Sequence, residues 1–157
     1  MLFSSGRQVY GIDQSEGMLA RASEKYPEVP VQAMALQELR GAAELAGRFS
    51  GLLCADAMEN VGPEDWPAVL DGFRAVLRPG GHAYLSVELP GTTDGAPRQG
   101  DAAWLVDGEV IEDGAYHYYP SRQAVDGWLA GAGLGVVSER TGDGYWHILA
   151  RLKAGPG

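Results

Sequence analysis

The chain is poor in cysteine, in positive charge and in long apolar runs. Its single cysteine, Cys54, excludes an internal disulfide and suits a reducing cytoplasm. Lys and Arg number 12 against 21 Asp and Glu, a formal net charge of −9. That balance argues against nucleic acid, whose phosphates are bound through neutralising Lys and Arg. It argues equally against an anionic membrane surface, and it leaves a cationic small ligand open. No apolar run approaches membrane length. The segment Met1–Arg7 lacks the long apolar stretch of a signal peptide. His82, His117 and His147 are scattered without ligand spacing, so no metal site is expected. No solenoid-type repeat is present.

What remains is the composition of a globular domain. Over 157 residues, 45% are apolar and 21% charged, enough for a core and of a size for one domain, residues 1–157. The organising stretch is Val9-Tyr10-Gly11-Ile12-Asp13 followed by Gln14-Ser15-Glu16-Gly17-Met18-Leu19-Ala20. It reads as strand, acidic tip and amphipathic helix, with Met18, Leu19, Ala22 and Tyr26 on one face and Pro27 as the stop. Two readings of Asp13 stand together. In open α/β sheets ligands bind beyond the carboxyl ends of strands, where a carboxylate accepts both ribose hydroxyls. Asp beside Ser is equally a helix cap.

Val31–Met34 reads as a second strand, Leu36–Leu39 as a turn, and Gly41–Arg48 as a short helix or a loop. Phe49–Ala55 is nearly continuous in apolar residues, as a strand covered on both faces should be. A helix follows with Trp66, Val69, Leu70, Phe73, Val76 and Leu77 inward, stopped by Pro79-Gly80-Gly81. His82–Leu89 is the next strand. Residues 90–108, rich in Gly, Pro, Thr and Asp, read as a long loop or insertion. Val110-Ile111 and Ala115–Tyr119 are extended and aromatic. Pro120-Ser121 opens a helix with Val125, Trp128 and Leu129 inward and Gly133 as its stop. Leu134–Arg140 and Tyr145–Leu152 flank Thr141-Gly142-Asp143-Gly144, a hairpin spacing. Strands alternating with helices, then a terminal hairpin, predict an α/β sheet, mostly parallel, with an antiparallel edge strand.

In this order, three segments resemble class I S-adenosylmethionine-dependent methyltransferases, and the likeness covers nearly the whole chain. VYGIDQSEGMLARA is similar to the family's second strand, ribose-binding acid and following helix. CADAMENV is similar to the segment leaving the fourth strand, beside the methyl group. FRAVLRPGGHAYLSVE is similar to the helix, Pro-Gly-Gly turn and fifth strand. The resemblance implies a Rossmann-like fold with helices on both faces of the sheet, and S-adenosylmethionine as cofactor.

Two departures follow. The family's first strand and its glycine-rich turn have no counterpart. The string Gly131-Ala132-Gly133-Leu134-Gly135 leaves a helix and enters a strand, the wrong order for a cofactor turn, and reads as a helix stop. A missing central strand leaves buried backbone groups unpaired at about 1–3 kcal/mol each, against a domain stability of only ~5–15 kcal/mol. The expectation is therefore the truncated product of a longer gene. The strand at Gln8 should then lie beside the one at Gly51, or a gap should separate them. The second departure is Ala35, where many relatives carry an Asp for the adenine amino group.

The resemblance assigns Asp13, Gln14, Met18, Leu36, Gln37, Ala55, Asp56 and Met58 to the cofactor, with core packing the alternative for Met58. Glu59, Asn60, Tyr116 and Tyr118 are expected at a small-molecule methyl acceptor. His117 is the candidate general base; the alternative for Tyr116–Tyr119 is a tyrosine-rich edge strand. Asp56 and Glu88 join Asp13 at strand ends, as site acids or as solvated loop carboxylates. Cys54 is expected to be a buried structural thiol. Two other functions stand beside methyl transfer: a dinucleotide oxidoreductase, since an acid after the second strand also binds ribose there, and a non-catalytic remnant that pairs an open sheet edge with a partner.

Overall fold

The computed structural model describes residues 6–89, 103–104, 108–112 and 114–154. The mixed α/β fold expected from the sequence is present, and its sheet is split. Strands β1 (Gly11–Asp13) and β2 (Val31–Ala33) pair in parallel as one unit. Strand β3 (Phe49–Cys54) runs parallel to β4 (Leu77–Glu88). Among the described residues, no strand joins β1 to β3. The two units touch through the rings of Tyr10 and Phe49, whose centroids are 6.2 Å apart. Of the two outcomes expected at this place, the gap is the one observed.

Three further strands, β5 (Ala103–Trp104), β6 (Glu109–Glu112) and β7 (Ala115–Tyr118), form a small antiparallel sheet. Strands β8 (Leu134–Gly142) and β9 (Tyr145–Leu152) make the expected hairpin. β9 inserts antiparallel between β4 and β8, giving the order β3-β4-β9-β8. Most of the stretch 90–108 lies outside the described residues.

Local chemistry explains the helices. In α1 (Glu16–Lys25) the Ser15 hydroxyl accepts from the Met18 N–H at 3.3 Å, capping the first turn. Helix α2 (Trp66–Val76) carries Pro67 in its first turn, where no intrahelical N–H is lost. In α3 (Arg122–Gly131) Ser121 accepts from the Ala124 N–H at 3.2 Å. Gly133, at φ +74°, supplies the left-handed residue that turns the chain into β8.

The core lies between α2, α3 and one face of the four-stranded sheet. Trp66, Val69, Leu70, Phe73 and Val76 of α2 are buried against Leu85 and Ile148. Trp66 stacks on Trp128 of α3 at 5.2 Å. Gly72 lets the 3-10 segment Leu36–Gly41 approach α2: a Cβ there would sit 3.1 Å from the Arg40 N.

Two expectations need correction. The first is that Phe49–Ala55 is covered on both faces. Leu52 and Cys54 face the core with Ala83 and Leu85, but Leu53 is 61% exposed beside Tyr84. Apolar content alone does not tell a covered face from an open one. The second is the strand start at His82. β4 begins at Leu77, because Phe49 pairs with Leu77 and Gly51 with His82. The Pro-Gly-Gly turn therefore bulges from the ladder within the strand, with Gly80 at φ +77°.

Candidate functional site

The carboxyl ends of the parallel strands carry the candidate residues. At the tip of β1, Asp13 is half-buried and its Oδ1 accepts from the Ser15 N–H at 2.8 Å. That bond is an Asx turn onto the N–H of Ser15, the residue that caps α1, so Asp13 supports the cap and engages Oδ1 in doing so. Gln14 and Met18 stand exposed in the same turn. Beyond β2, Leu36 is half-buried and Gln37 exposed. The Gln37 side-chain amide donates to Asp65 Oδ2 at 3.0 Å, tying this turn to the start of α2.

Beyond β3 the chain turns at Asp56, which adopts φ +51°. Asp tolerates this left-handed region better than most residues. The Asp56 N–H donates to Ser86 Oγ at 3.1 Å, which fixes the turn to β4. Ala55 is exposed, and a 3-10 turn, Met58–Asn60, follows and packs against both β4 and β7.

Acids from three elements meet there. Glu59, from the 3-10 turn, is 8% exposed; its Oε1 accepts weakly from Asn60 Nδ2 at 3.4 Å, and its Oε2 is buried without a partner. Burial pushes the Glu59 carboxyl above its ordinary range against the pull of its own backbone N–H; Glu88 and Asp56 push it further, and His117 pulls it down. Glu88, at the end of β4, has Oε2 3.7 Å from His117 Nδ1 on β7. Tyr145 pairs with Glu88 across β4 and β9. Its phenol is pushed up to about 12, by burial first and then by Asp56 and Glu88.

The fold thus brings Asp56, Glu59, Asn60 and His117 together with Glu88 and Tyr145. Tyr145 was missed by sequence reasoning. Its only signal is its place just after the hairpin turn, which the β4–β9 register converts into proximity to Glu88. Asp13, Gln14, Met18, Leu36 and Gln37 stand at the ends of the other sheet unit, β1–β2.

Two expected site residues are corrected. Met58 is fully buried in the core, where its side chain meets protein on all sides rather than a cofactor. Tyr118 is 6% exposed, with its ring tilted on Trp128 at 6.4 Å; alternation along β7 turns it inward. Tyr116 spends its hydroxyl on Glu109, donating to Oε1 at 2.7 Å, and burial together with that bond pushes its phenol up. Cys54 is buried, and its thiol is pushed up to about 12 by burial, then by Glu59 and Asp56. Such a thiol is no nucleophile at neutral pH. Among the described residues, no group of three His, Cys, Asp or Glu is arranged to hold a metal ion, and no helix is long and apolar enough to cross a membrane.

A family model described as "Methyltransferase domain" matches residues 1–81. No curated protein sequence matches the chain. Among solved structures it is similar to the 1,6-didemethyltoxoflavin-N1-methyltransferase of Burkholderia thailandensis, solved with 1,6-didemethyltoxoflavin and S-adenosylhomocysteine. The two share 20% identity over 96% of this chain and 64% of that one, with a TM-score of 0.69. The chain therefore spans less than two thirds of that relative's length. A SAM-dependent methyltransferase from Methanosarcina mazei aligns at 14% identity, covering 98% of this chain and 86% of that one, TM-score 0.76. CalS10, an amino pentose methyltransferase from Micromonospora echinaspora solved with SAM bound, aligns at 18% identity over 96% of this chain and 77% of that one, TM-score 0.74. At these identities the likeness to the solved structures is one of fold.

Proposed function

The chain belongs to the methyltransferase-domain family, and from that premise we propose that residues 1–157 act as one S-adenosylmethionine-dependent unit that methylates a small molecule. The observation that carries this reading is the set of carboxylates at the carboxyl ends of β1, β3 and β4: Asp13, Asp56 and Glu88. Their chemistry fits the cofactor. Asp13 is half-buried at a strand tip, where a carboxylate accepts the paired hydroxyls of a ribose. Half-buried Leu36, with Gln37 beside it, offers an apolar rest for adenine. Gln14 and Met18 would hold the ribose side, and Ala55 and Asp56 the charged sulfonium end, where a carboxylate lowers the energy of a cation.

When bound, the cofactor supplies a methyl group on positively charged sulfur, which departs as a neutral thioether. The chain's own work is positioning and proton handling. Holding nucleophile and methyl in line contributes ~7–11 kcal/mol in well-oriented systems. Asn60, whose side-chain amide donates to Glu59, orients the acceptor, while Tyr116 lies on the face of β7 opposite His117 with its hydroxyl on Glu109. His117, beside Glu88, receives the acceptor's proton. A dinucleotide oxidoreductase, the other use of a ribose-binding acid, does not share this family.

Calorimetric titration of the full chain with S-adenosylhomocysteine tests the reading. The expected result is one site per chain whose affinity falls at least about tenfold in Asp13→Ala, the loss of one charge-assisted hydrogen-bonding group. Absence of heat at millimolar ligand, with the chain folded, would leave a partner-binding remnant as the better account.

A further inference from the structure

We propose that the acceptor is an amine, taken as its ammonium ion by Glu59 and Glu88 and relieved of its proton by His117. The proposal rests on the methyl-transfer reading above and narrows it to nitrogen.

The decisive atom is Oε2 of Glu59, sealed from solvent and without a hydrogen-bond donor. A buried carboxylate oxygen lacking a donor is a standing cost to the fold. It is retained at low cost only where something else brings the donor. Around it stand Asp56 from the turn after β3, Glu88 from β4, His117 from β7, Tyr145 from β9 and Cys54 from β3. Among the described residues, no lysine or arginine is named among the groups acting on Glu59. The missing donor is thus wanted in a field of carboxylates. A carboxylate or phosphate acceptor is repelled there, and a neutral hydroxyl donates one hydrogen bond and gains nothing from the charge. An ammonium ion has three donors and the right sign.

The rim of the cluster is formed by His117 and Glu88, both only partly exposed. His117 and Glu88 side chains are 25% and 12% exposed, and His117 stacks on Tyr119 at 6.4 Å. His117 Nδ1 is itself buried without a hydrogen bond, 3.7 Å from Glu88. A nitrogen entering over this rim meets a proton acceptor in His117 and a counter-ion on each side.

The step balances. The ammonium gives one proton to the imidazole of His117. The freed amine lone pair forms the N–C bond to the methyl as the C–S bond breaks, its electrons staying on sulfur. The product leaves as a secondary ammonium ion, and imidazolium returns its proton to water.

The test compares benzylammonium with benzyl alcohol, equal in shape and different in charge, by saturation-transfer NMR on the full chain at pH 7. Both are titrated with and without S-adenosylhomocysteine. The expected result is a preference of about tenfold or more for the amine, reduced to near unity in Glu59→Gln and lowered in Glu88→Gln, both variants melting no lower than the parent. Equal binding in the parent, or a preference unchanged in both variants, overturns the proposal. The two readings fail separately. Binding of S-adenosylhomocysteine without an amine preference keeps methyl transfer and removes the amine. A preference that Glu59→Gln abolishes, in a chain that ignores S-adenosylhomocysteine, keeps the amine site and removes methyl transfer.

Discussion

His117 Nδ1 lies 3.7 Å from Oε2 of Glu88, although 28 residues separate them in sequence and they belong to different sheets. The small sheet β5–β7 is thereby anchored over the end of β4, and an imidazole is held beside an acid as a base should be. His117→Ala is expected to lower turnover about a hundredfold, the usual worth of a positioned general base. Its affinity for S-adenosylhomocysteine should stay within about twofold, because His117 stands on the acceptor side. Release of S-adenosylhomocysteine over a panel of primary amines, paired with calorimetry, measures both. An unchanged turnover would return His117 to a tyrosine-rich edge strand.

Asp13 has two jobs that substitution can separate. Its Oδ1 already holds the Ser15 N–H at the start of α1. Asparagine keeps an oxygen for that turn and loses the charge. Asp13→Asn should therefore melt close to the parent and bind S-adenosylhomocysteine at least about tenfold more weakly. Asp13→Ala should lose that affinity and in addition about 1 kcal/mol of stability. Equal cofactor binding in parent and Asp13→Asn would leave Asp13 as a cap only.

These two residues show how unevenly the sequence discloses a site. The place of Asp13 at a strand tip before a helix was legible because its signals are local: an apolar run, an acid, Ser15 and a helical spacing. The same holds for α2, whose inward face Trp66, Val69, Leu70, Phe73 and Val76 is buried as its periodicity predicts. The gap beside β3 was legible too: among the described residues β1–β2 and β3–β4 stay unjoined, as the order of segments predicts. What depends on distant pairing was not. Tyr145 reaches the acids only through the register of β9 on β4. Tyr118 and His117 are neighbours in one strand, and nothing local says which points inward. Glu59 was expected beside the acceptor, but nothing local foretold its burial, which β4 and β7 make together.

Glu59 offers a stability test without any ligand. Its folded-state pKa is raised above the ordinary 4.5, chiefly by burial. Between those two values the folded chain holds a proton that the unfolded chain has released, so stability falls as pH rises through that window and stays reduced above it. Glu59→Gln removes this loss. The variant should melt above the parent at pH 7, and the difference should shrink as pH falls toward 4.5. Calorimetric melting from pH 4 to 8 checks the sign; a difference that grows on acidification would contradict it.

Cys54 should be chemically silent. With the thiol pushed from 9.0 to about 12, the thiolate fraction at pH 8 is roughly a thousandfold smaller than for an ordinary cysteine. Ellman's reagent should label the folded chain slowly and the urea-unfolded chain at once. Fast labelling of the folded chain would mean that Cys54 is neither buried nor desolvated.

The open side of β3 makes the last prediction. Leu53 and Leu85 lie on adjacent strands, and Leu53 is 61% exposed while Leu85 is fully buried. Leu85→Ala leaves a cavity between the sheet and α2 and should cost about 2–5 kcal/mol. Leu53→Lys places a charge in water and should change stability by no more than about 0.5 kcal/mol. An exposed leucine on a strand whose outer edge has no partner among the described residues also invites association. The lysine variant should therefore sediment as the smaller or the more uniform species at high concentration. If Leu53→Lys instead costs as much as Leu85→Ala, this face is covered in solution, and the same sedimentation run, comparing parent and variant, shows whether a second copy covers it.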